Sequence, residues 1–194
     1  MTPEYAAFQA ARRKELWSLL GDLPLDYRPG PARLIAREQG PGYTVEHLEL
    51  DLNGEEPVPA VLLIPDGLKA PAPGLQFIHW HGNWYEQGKM QLFEGREGVA
   101  GPYAAELAAR GIVTLAIDSW CFGGRRHKPD DGQKGEYDTF KLMLWRGQVL
   151  WGMMMLDELR ALDYLASRPE VDAGRLGAYG MSMGATKAWW LAAL

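Results

Sequence analysis

The stretch Gly180-Met181-Ser182-Met183-Gly184 decides the fold of this chain. It has the form G-x-S-x-G, it follows the strand-like run 175–179, and it opens the helix-like run 185–194. A strand, a sharp turn and a helix in this order form a nucleophile elbow, in which small residues flank a central serine. Such a turn projects the serine hydroxyl from the carboxyl end of a sheet. Ser182 is therefore the candidate catalytic residue.

Two backbone groups are candidates for an oxyanion site beside this serine. Attack of a hydroxyl on an ester carbonyl creates an oxyanion that needs hydrogen-bond donors. In an elbow, one donor is the N–H of the residue after the serine, here Met183, at the positive end of a helix. The second donor normally comes from the loop after the third strand, here residues 79–84, with the sequence His-Trp-His-Gly-Asn-Trp. Gly82 lets this backbone turn closely, and the N–H of Asn83 is the candidate.

The hydrophobic pattern predicts an α/β fold with an N-terminal extension. Residues 1–43 are predicted to form a helical arm, capped by Thr2, and an irregular Pro/Gly-rich connector over 23–42. Asn53-Gly54 indicates a hairpin between the first two strands. The polar segment 119–137 is predicted to be a loop. The predicted strands are 44–52, 58–64, 75–80, 112–117 and 175–179, and the later helices are 103–110, 145–167 and 185–194.

The elbow, the His-Gly turn and the tract 171–177 (Val-Asp-Ala-Gly-Arg-Leu-Gly) together resemble the α/β-hydrolase superfamily. The resemblance is closest to dienelactone-hydrolase-like and acetyl-xylan-esterase-like serine carboxylesterases, and it spans residues 44–194. It implies a mostly parallel sheet with an N-terminal antiparallel hairpin. It also implies a Ser-Asp/Glu-His triad that hydrolyses carboxylic esters, such as acetyl or short-acyl esters, through an acyl-enzyme. A dienelactone hydrolase proper has a cysteine nucleophile, so Ser182 favours the esterase branch.

The resemblance supplies no general base within these residues. In complete members the triad acid and histidine follow later strands, and residues 185–194 contain neither. We therefore expect an N-terminal portion of the fold, truncated after the elbow helix. His79 and His81 are expected to hold the oxyanion loop by hydrogen bonds, and His127 to be solvated. Asp118 is expected to order the loop 123–125.

Other chemistries find less support in the sequence. His79-x-His81 could be half of a metal site, but two further histidines are too few for a metal-dependent amidohydrolase. Cys121 has no adjacent base and is expected to be a buried thiol. The run 123–126 (Gly-Gly-Arg-Arg) lacks the spacing of a phosphate-binding loop. No cofactor or metal is predicted. The eight tryptophans fit either core packing or an aromatic-lined pocket.

Length and composition restrict the class of protein to which this chain can belong. A chain of 194 residues suffices for one domain, and a net charge of −5 disfavours nucleic acid or anionic membranes as partners. One cysteine, no secretory signal and no apolar run of about 20 residues together predict a cytoplasmic protein. A small-molecule ester is the expected ligand. A homo-oligomer, a complementing C-terminal segment, a peptidase or amidase activity and a catalytically incomplete fragment all remain open.

Overall fold

The computed structural model describes residues 2–97, 101–128 and 132–194. A six-stranded sheet carries helices on both faces, and strands alternate with helices from the fourth strand onward. The strands are β1 (Arg33–Gly40), β2 (Tyr43–Leu50), β3 (Val58–Pro65), β4 (Ala72–Ile78), β5 (Val113–Ile117) and β6 (Val171–Gly180). The helices are α1 (Pro3–Ser18), α2 (Gln91–Glu94), α3 (Ala104–Ala109), α4 (Gly132–Trp145), α5 (Leu150–Ser167) and α6 (Met183–Ala193).

The strand order is β1-β2-β3-β5-β4-β6. The first three pairings in this order are antiparallel, and β4 pairs in parallel with both β5 and β6. The predicted α/β-hydrolase-type sheet with an N-terminal antiparallel hairpin is confirmed. The antiparallel part is larger than the sequence indicates, because β1 adds a strand and β3 pairs antiparallel with β5.

The turn between β2 and β3 confirms the hairpin signal. Gly54 has a positive φ of 74°, which glycine adopts without the strain of a Cβ. The side chain of Asn53 accepts hydrogen bonds from the N–H groups of Glu55 (2.8 Å) and Glu56 (3.0 Å). The asparagine therefore closes the turn with its own amide oxygen.

The prediction of an irregular connector is wrong for residues 33–40, which form β1. This strand pairs along its length with β2, and nearly all of its residues are exposed. It has no buried face, so the alternation of apolar and polar residues that marks a strand is missing from its sequence. Cross-strand ion pairs hold it instead, such as Arg37 to Glu46 at 2.7 Å.

Two further predictions about the region after Asp118 are wrong. The segment predicted as a loop to residue 137 contains the start of α4, and the long helix predicted over 145–167 begins only at Leu150. Gly147 separates the two helices with a positive φ of 76°. The N–H of Gln148 bonds to the carbonyl of Met143, which ends α4 by the left-handed cap that glycine favours. The predicted helix therefore included Trp145, the last residue of α4, and the turn 146–149.

The core lies on both faces of the sheet because side chains alternate along the central strands. Val58, Ala60 and Leu62 of β3 pack with Ala161 and Leu165 of α5 on one face. The opposite face carries a second cluster, whose members include Val61, Leu63, Phe77, Leu92, Ala104 and Ala108. Burial on both sides explains why β3 and β5 read as continuous apolar runs.

The two ends of the chain meet at the margin of the fold. The N-terminal arm is a helix capped by Thr2, as predicted, but none of the residues of α1 is buried. Arg13 of this helix donates a hydrogen bond to the carbonyl of Ala193 at 3.0 Å. No helix in the described part of the chain is both long and apolar enough to cross a bilayer.

Candidate active site

Ser182 lies at the sharp turn between β6 and α6. Its backbone has φ 55° and ψ −121°, a conformation that costs a non-glycine residue about 1–3 kcal/mol and that clusters at active sites. Its side chain is exposed. A Cβ on Gly180 would lie 2.4 Å from the carbonyl carbon of Gly184, so the turn can close only with a glycine at position 180. The predicted strand-turn-helix around the serine is present.

The first turn of α6 rests directly on the end of β4. A Cβ on Gly184 would lie 2.1 Å from the carbonyl oxygen of Ile78 and 2.9 Å from that of His79. Ile78 is also the register partner of Gly180. The elbow and the loop after β4 therefore sit side by side at the carboxyl edge of the sheet. Met183, as the first residue of α6, has one of the N–H groups that a helix cannot satisfy internally.

The loop after β4 forms a tight turn at the predicted second donor. Gly82 and Asn83 have positive φ values of 53° and 59°, and the N–H of Trp84 bonds to the carbonyl of His81 at 2.9 Å. Positive φ at both central residues is the pattern of a type I′ turn, which favours Gly and Asn. The N–H of Asn83 donates to Nδ1 of His81 at 3.1 Å. An oxyanion at this position would have to share that N–H with the imidazole.

The His81 ring connects this turn to α4. Its Nε2 lies 2.9 Å from Oε2 of Glu136, and the hydroxyl of Tyr85 donates to the same oxygen at 2.7 Å. Because the Asn83 N–H occupies Nδ1, the proton of a neutral His81 resides on Nε2 and points to Glu136. Burial alone would raise the pKa of Glu136, but hydrogen bonds from His81 and Tyr85 outweigh it and lower the pKa. The carboxylate is therefore ionised at neutral pH.

A cavity of about 240 Å³ lies beside this group. It combines the Glu136 carboxylate with apolar walls. Tyr85 and Leu150 belong to the same apolar cluster against which Met183 packs, which places the cavity close to the elbow. Its lining is His81, Tyr85, Gln133, Glu136, Tyr137, Phe140 and Leu150. Its aromatic walls are tyrosine and phenylalanine, whereas tryptophans such as Trp80 and Trp120 pack in the core clusters.

His79 holds the strand ends together, as predicted. Its Nε2 accepts the N–H of Ser119 at 3.0 Å, and Nδ1 lies 3.1 Å from the carbonyl of Trp80. Burial, together with the charge of Lys187, lowers the pKa of His79 from 6.5 to about 3. The ring is therefore neutral, and both nitrogens are occupied. Neither His79 nor His81 keeps a free nitrogen for the half metal site considered in the sequence.

Asp118 orders its surroundings, as predicted. Its carboxylate accepts the N–H of Gly124 at 2.9 Å, and it binds both the N–H and the ammonium of Lys89, at 2.8 and 2.7 Å. A Cβ on Gly88 or on Gly123 would lie 2.1 or 2.3 Å from this carboxylate. These glycines let two loops close around one buried acid.

The remaining predicted side chains lie away from the elbow. Arg125 forms ion pairs with two acids, Asp157 at 2.7 Å and Glu56 at 2.6 Å. His127 is exposed and lies 3.2 Å from the hydroxyl of Thr139. The thiol of Cys121 is buried, and burial raises its pKa to about 11.

A buried ionic network beneath the elbow helix was not predicted from the sequence. Lys187 of α6 is 0% exposed, and its ammonium lies 2.5 Å from the hydroxyl of Ser119 and 3.4 Å from Oε1 of Glu158. Oε2 of Glu158 accepts from the side chain of Gln76 at 2.5 Å. Burial raises the pKa of Glu158 and lowers that of Lys187, while each charge partly offsets the shift of the other. The only available signal was a lysine within an apolar helix.

This network connects the elbow to the loop 79–84. Lys187 on α6 binds Ser119, whose N–H in turn binds His79 at the end of β4. A cross-linked set of hydrogen bonds between three elements restricts how far Ser182 and Asn83 can move apart. The structure thereby places Ser182 and Met183 at the same edge of the sheet as the 79–84 loop. No hydrogen bond joins Ser182 to a histidine in the described residues.

Comparison with known proteins identifies one similar sequence and several similar folds. The sequence matches no established family profile. It is 46% identical over 187 residues to the Bacillus subtilis (strain 168) protein named "Putative hydrolase YtaP", covering 96% of this chain and 60% of that one. The chain thus spans less than two thirds of this relative.

Solved structures show the same partial coverage. A structure described as a putative acetyl xylan esterase from Bacteroides fragilis NCTC 9343 superposes with a TM-score of 0.79 at 17% identity, over 98% of this chain and 51% of that one. An acetyl xylan esterase from Paenibacillus sp. R4 gives a TM-score of 0.57 at 25% identity, over 98% and 55%. The chain therefore has part of the α/β-hydrolase fold, the fold that is also found in acetyl xylan esterases and dienelactone hydrolase-like proteins.

Proposed function

We propose that this chain carries the nucleophile and oxyanion half of a serine esterase. Ser182 attacks the carbonyl carbon of a carboxylic ester, and the N–H groups of Met183 and Asn83 bind the oxyanion of the tetrahedral intermediate. This intermediate releases the alcohol and becomes an acyl-enzyme, which water then hydrolyses to the free acid. The observation that carries the proposal is the strained elbow, with Ser182 at φ 55° and Gly184 resting on the carbonyls of Ile78 and His79, where the loop that contains the Gly82-Asn83 turn begins. Short acyl groups, acetyl above all, are the proposed substrates by family resemblance.

The general base is proposed to come from a segment outside these 194 residues. His79 and His81 have both nitrogens engaged, and His127 is exposed and bonded to α4. His47 lies on β2, which is separated from β6 by three strands. β6 ends the strand order, and its outer edge has no strand partner in the described part of the chain. A complementing C-terminal segment that pairs there would reach the carboxyl edge next to Ser182.

Active-site labelling tests the nucleophile. Together with the complementing segment, the chain should hydrolyse p-nitrophenyl acetate and react with a fluorophosphonate at Ser182. Ser182→Ala should abolish both, while an exposed control, Ser18→Ala on α1, should leave both unchanged. Hydrolysis that survives Ser182→Ala would refute the mechanism.

The missing base gives a second test. The 194-residue chain alone should hydrolyse the ester near the background rate, because no described histidine is placed to take the serine proton. Rapid turnover by the isolated chain would instead assign the base to an upstream histidine, with His81 the first to substitute. Matched amides, tested beside the esters, would distinguish an amidase from an esterase.

A further inference from the structure

An arginine lies against the candidate oxyanion turn. Arg96 follows α2 by two residues, and its guanidinium carbon lies 4.8 Å from the ring centroid of Trp84. A Cβ placed on Gly82 would stand 2.6 Å from Nη1 of Arg96, so the missing side chain of this glycine leaves the space that the guanidinium occupies. Trp84 closes the same turn through its N–H. The cation is therefore held beside the Asn83 N–H by stacking.

This guanidinium faces no carboxylate within the described residues. Other arginines of the fold, such as Arg125 and Arg168, each contact two acids. Glu94, the nearest acid on α2, instead accepts a hydrogen bond from Gln87 at 2.8 Å. Stacking on an indole covers one face of a guanidinium and leaves its N–H edges directed outward. Those edges form the fork that matches a carboxylate or a phosphate.

The elbow and the turn beside Arg96 follow neighbouring strands of the sheet. Ile78 and Gly180 are register partners on adjacent strands, about 5 Å apart, so the loops that follow β4 and β6 leave the sheet together. Met181 beside the serine packs on the cluster that contains Trp80 and Leu92 of α2. The turn beside Arg96 and the elbow that carries Ser182 therefore share one apolar cluster at this edge of the sheet.

We propose that Arg96 recognises an anionic group carried by the ester substrate, so that the enzyme prefers esters with a free carboxylate. The inference rests on the proposed function of Ser182 and names its substrate class. The carboxylate belongs either to the acyl part or to the alcohol part of the ester.

Matched neutral and anionic esters test the preference, again with the complementing segment present. The acyl pair is p-nitrophenyl acetate and mono-p-nitrophenyl succinate, and the alcohol pair is phenyl acetate and 4-acetoxybenzoate. Arg96→Gln should lower kcat/KM for the anionic member of one pair at least tenfold, mainly through KM, and change the neutral members less than twofold. Arg96→Lys should keep part of the preference, and added salt should weaken it. The exposed arginine directly after α3 gives a matched control, Arg110→Gln, which should change kcat/KM for neither the neutral nor the anionic esters.

Two results would overturn the inference. An equal loss of kcat/KM on neutral and anionic esters would mean that Arg96 acts on the oxyanion itself. Unchanged kcat/KM for all four esters would mean that Arg96 only packs on Trp84. Binding of monomethyl succinate to the chain, followed by calorimetry, separates this inference from the proposed function. Arg96-dependent binding without hydrolysis would refute the esterase and support the anion site. Hydrolysis without Arg96-dependent binding would refute the anion site alone.

Discussion

The buried pair of Lys187 and Glu158 gives the sharpest stability prediction. The two charged atoms lie 3.4 Å apart, and the side chains are 0% and 1% exposed. At an effective dielectric constant of ~20, charges at this distance attract by about 5 kcal/mol. Lys187→Met removes this attraction and leaves a carboxylate in the core with the Gln76 amide as its donor. Breaking a buried pair on one side costs about 3–5 kcal/mol, so we expect a loss of that size.

The pH dependence of this loss follows from the sign of the Glu158 shift. Burial already raises the pKa of Glu158, and removing the lysine raises it further. An acid whose folded pKa lies above its unfolded value stabilises the protein at low pH, and that stability is lost as the pH rises through the folded pKa. The deficit of Lys187→Met should therefore be larger at pH 8 than at pH 5.

Urea unfolding at both pH values, followed by circular dichroism, measures these effects. The double variant Lys187→Met/Glu158→Gln removes both charges and should recover about 2–3 kcal/mol of the loss. The exposed lysine of α1 supplies a control, Lys14→Met, which should change the free energy of unfolding by less than about 0.5 kcal/mol. A Lys187→Met deficit below about 1 kcal/mol, equal at both pH values, would refute the buried pair.

Two further predictions concern the packing around the elbow. Gly184→Ala should prevent α6 from resting on β4, because its methyl group would lie 2.1 Å from the carbonyl oxygen of Ile78. Urea unfolding should show that the free energy of unfolding falls by at least about 3 kcal/mol. A variant as stable as the wild type would contradict this packing. For His79, the pKa of about 3 in the fold and about 6.5 when unfolded means that only the unfolded state binds a proton between these values. Stability should fall by up to about 5 kcal/mol as the pH drops from 6.5 to 3. His79→Gln keeps an acceptor for the N–H of Ser119 but cannot titrate, so its urea midpoint should vary less over this range; an equal slope would assign the pH dependence to other groups.

The local sequence predicted the features that depend on backbone conformation. A glycine at position 180 or 184 is required because of contacts within the turn and with the next strand, and both positions could be read from the spacing around Ser182. The Asn53-Gly54 hairpin was equally readable, since the asparagine bonds to residues two and three positions away. By contrast, β1 has no buried face. Its sequence therefore lacks the alternation of apolar and polar residues from which strands are predicted.

The candidate site also contains features that depend on local sequence and features that depend on tertiary packing. The sequence by itself determined the nucleophile, the helix that follows it and the glycine turn of the second donor, because each depends on residues within a few positions of one another. Only the tertiary structure decided what these groups contact. Lys187 meets Glu158 across 29 positions, His81 meets Glu136 across 55, and Arg96 lies against Gly82 through the return of the chain after α2. These contacts depend on how strands and helices pack against one another, and the hydrophobic periodicity along the chain does not predict that packing.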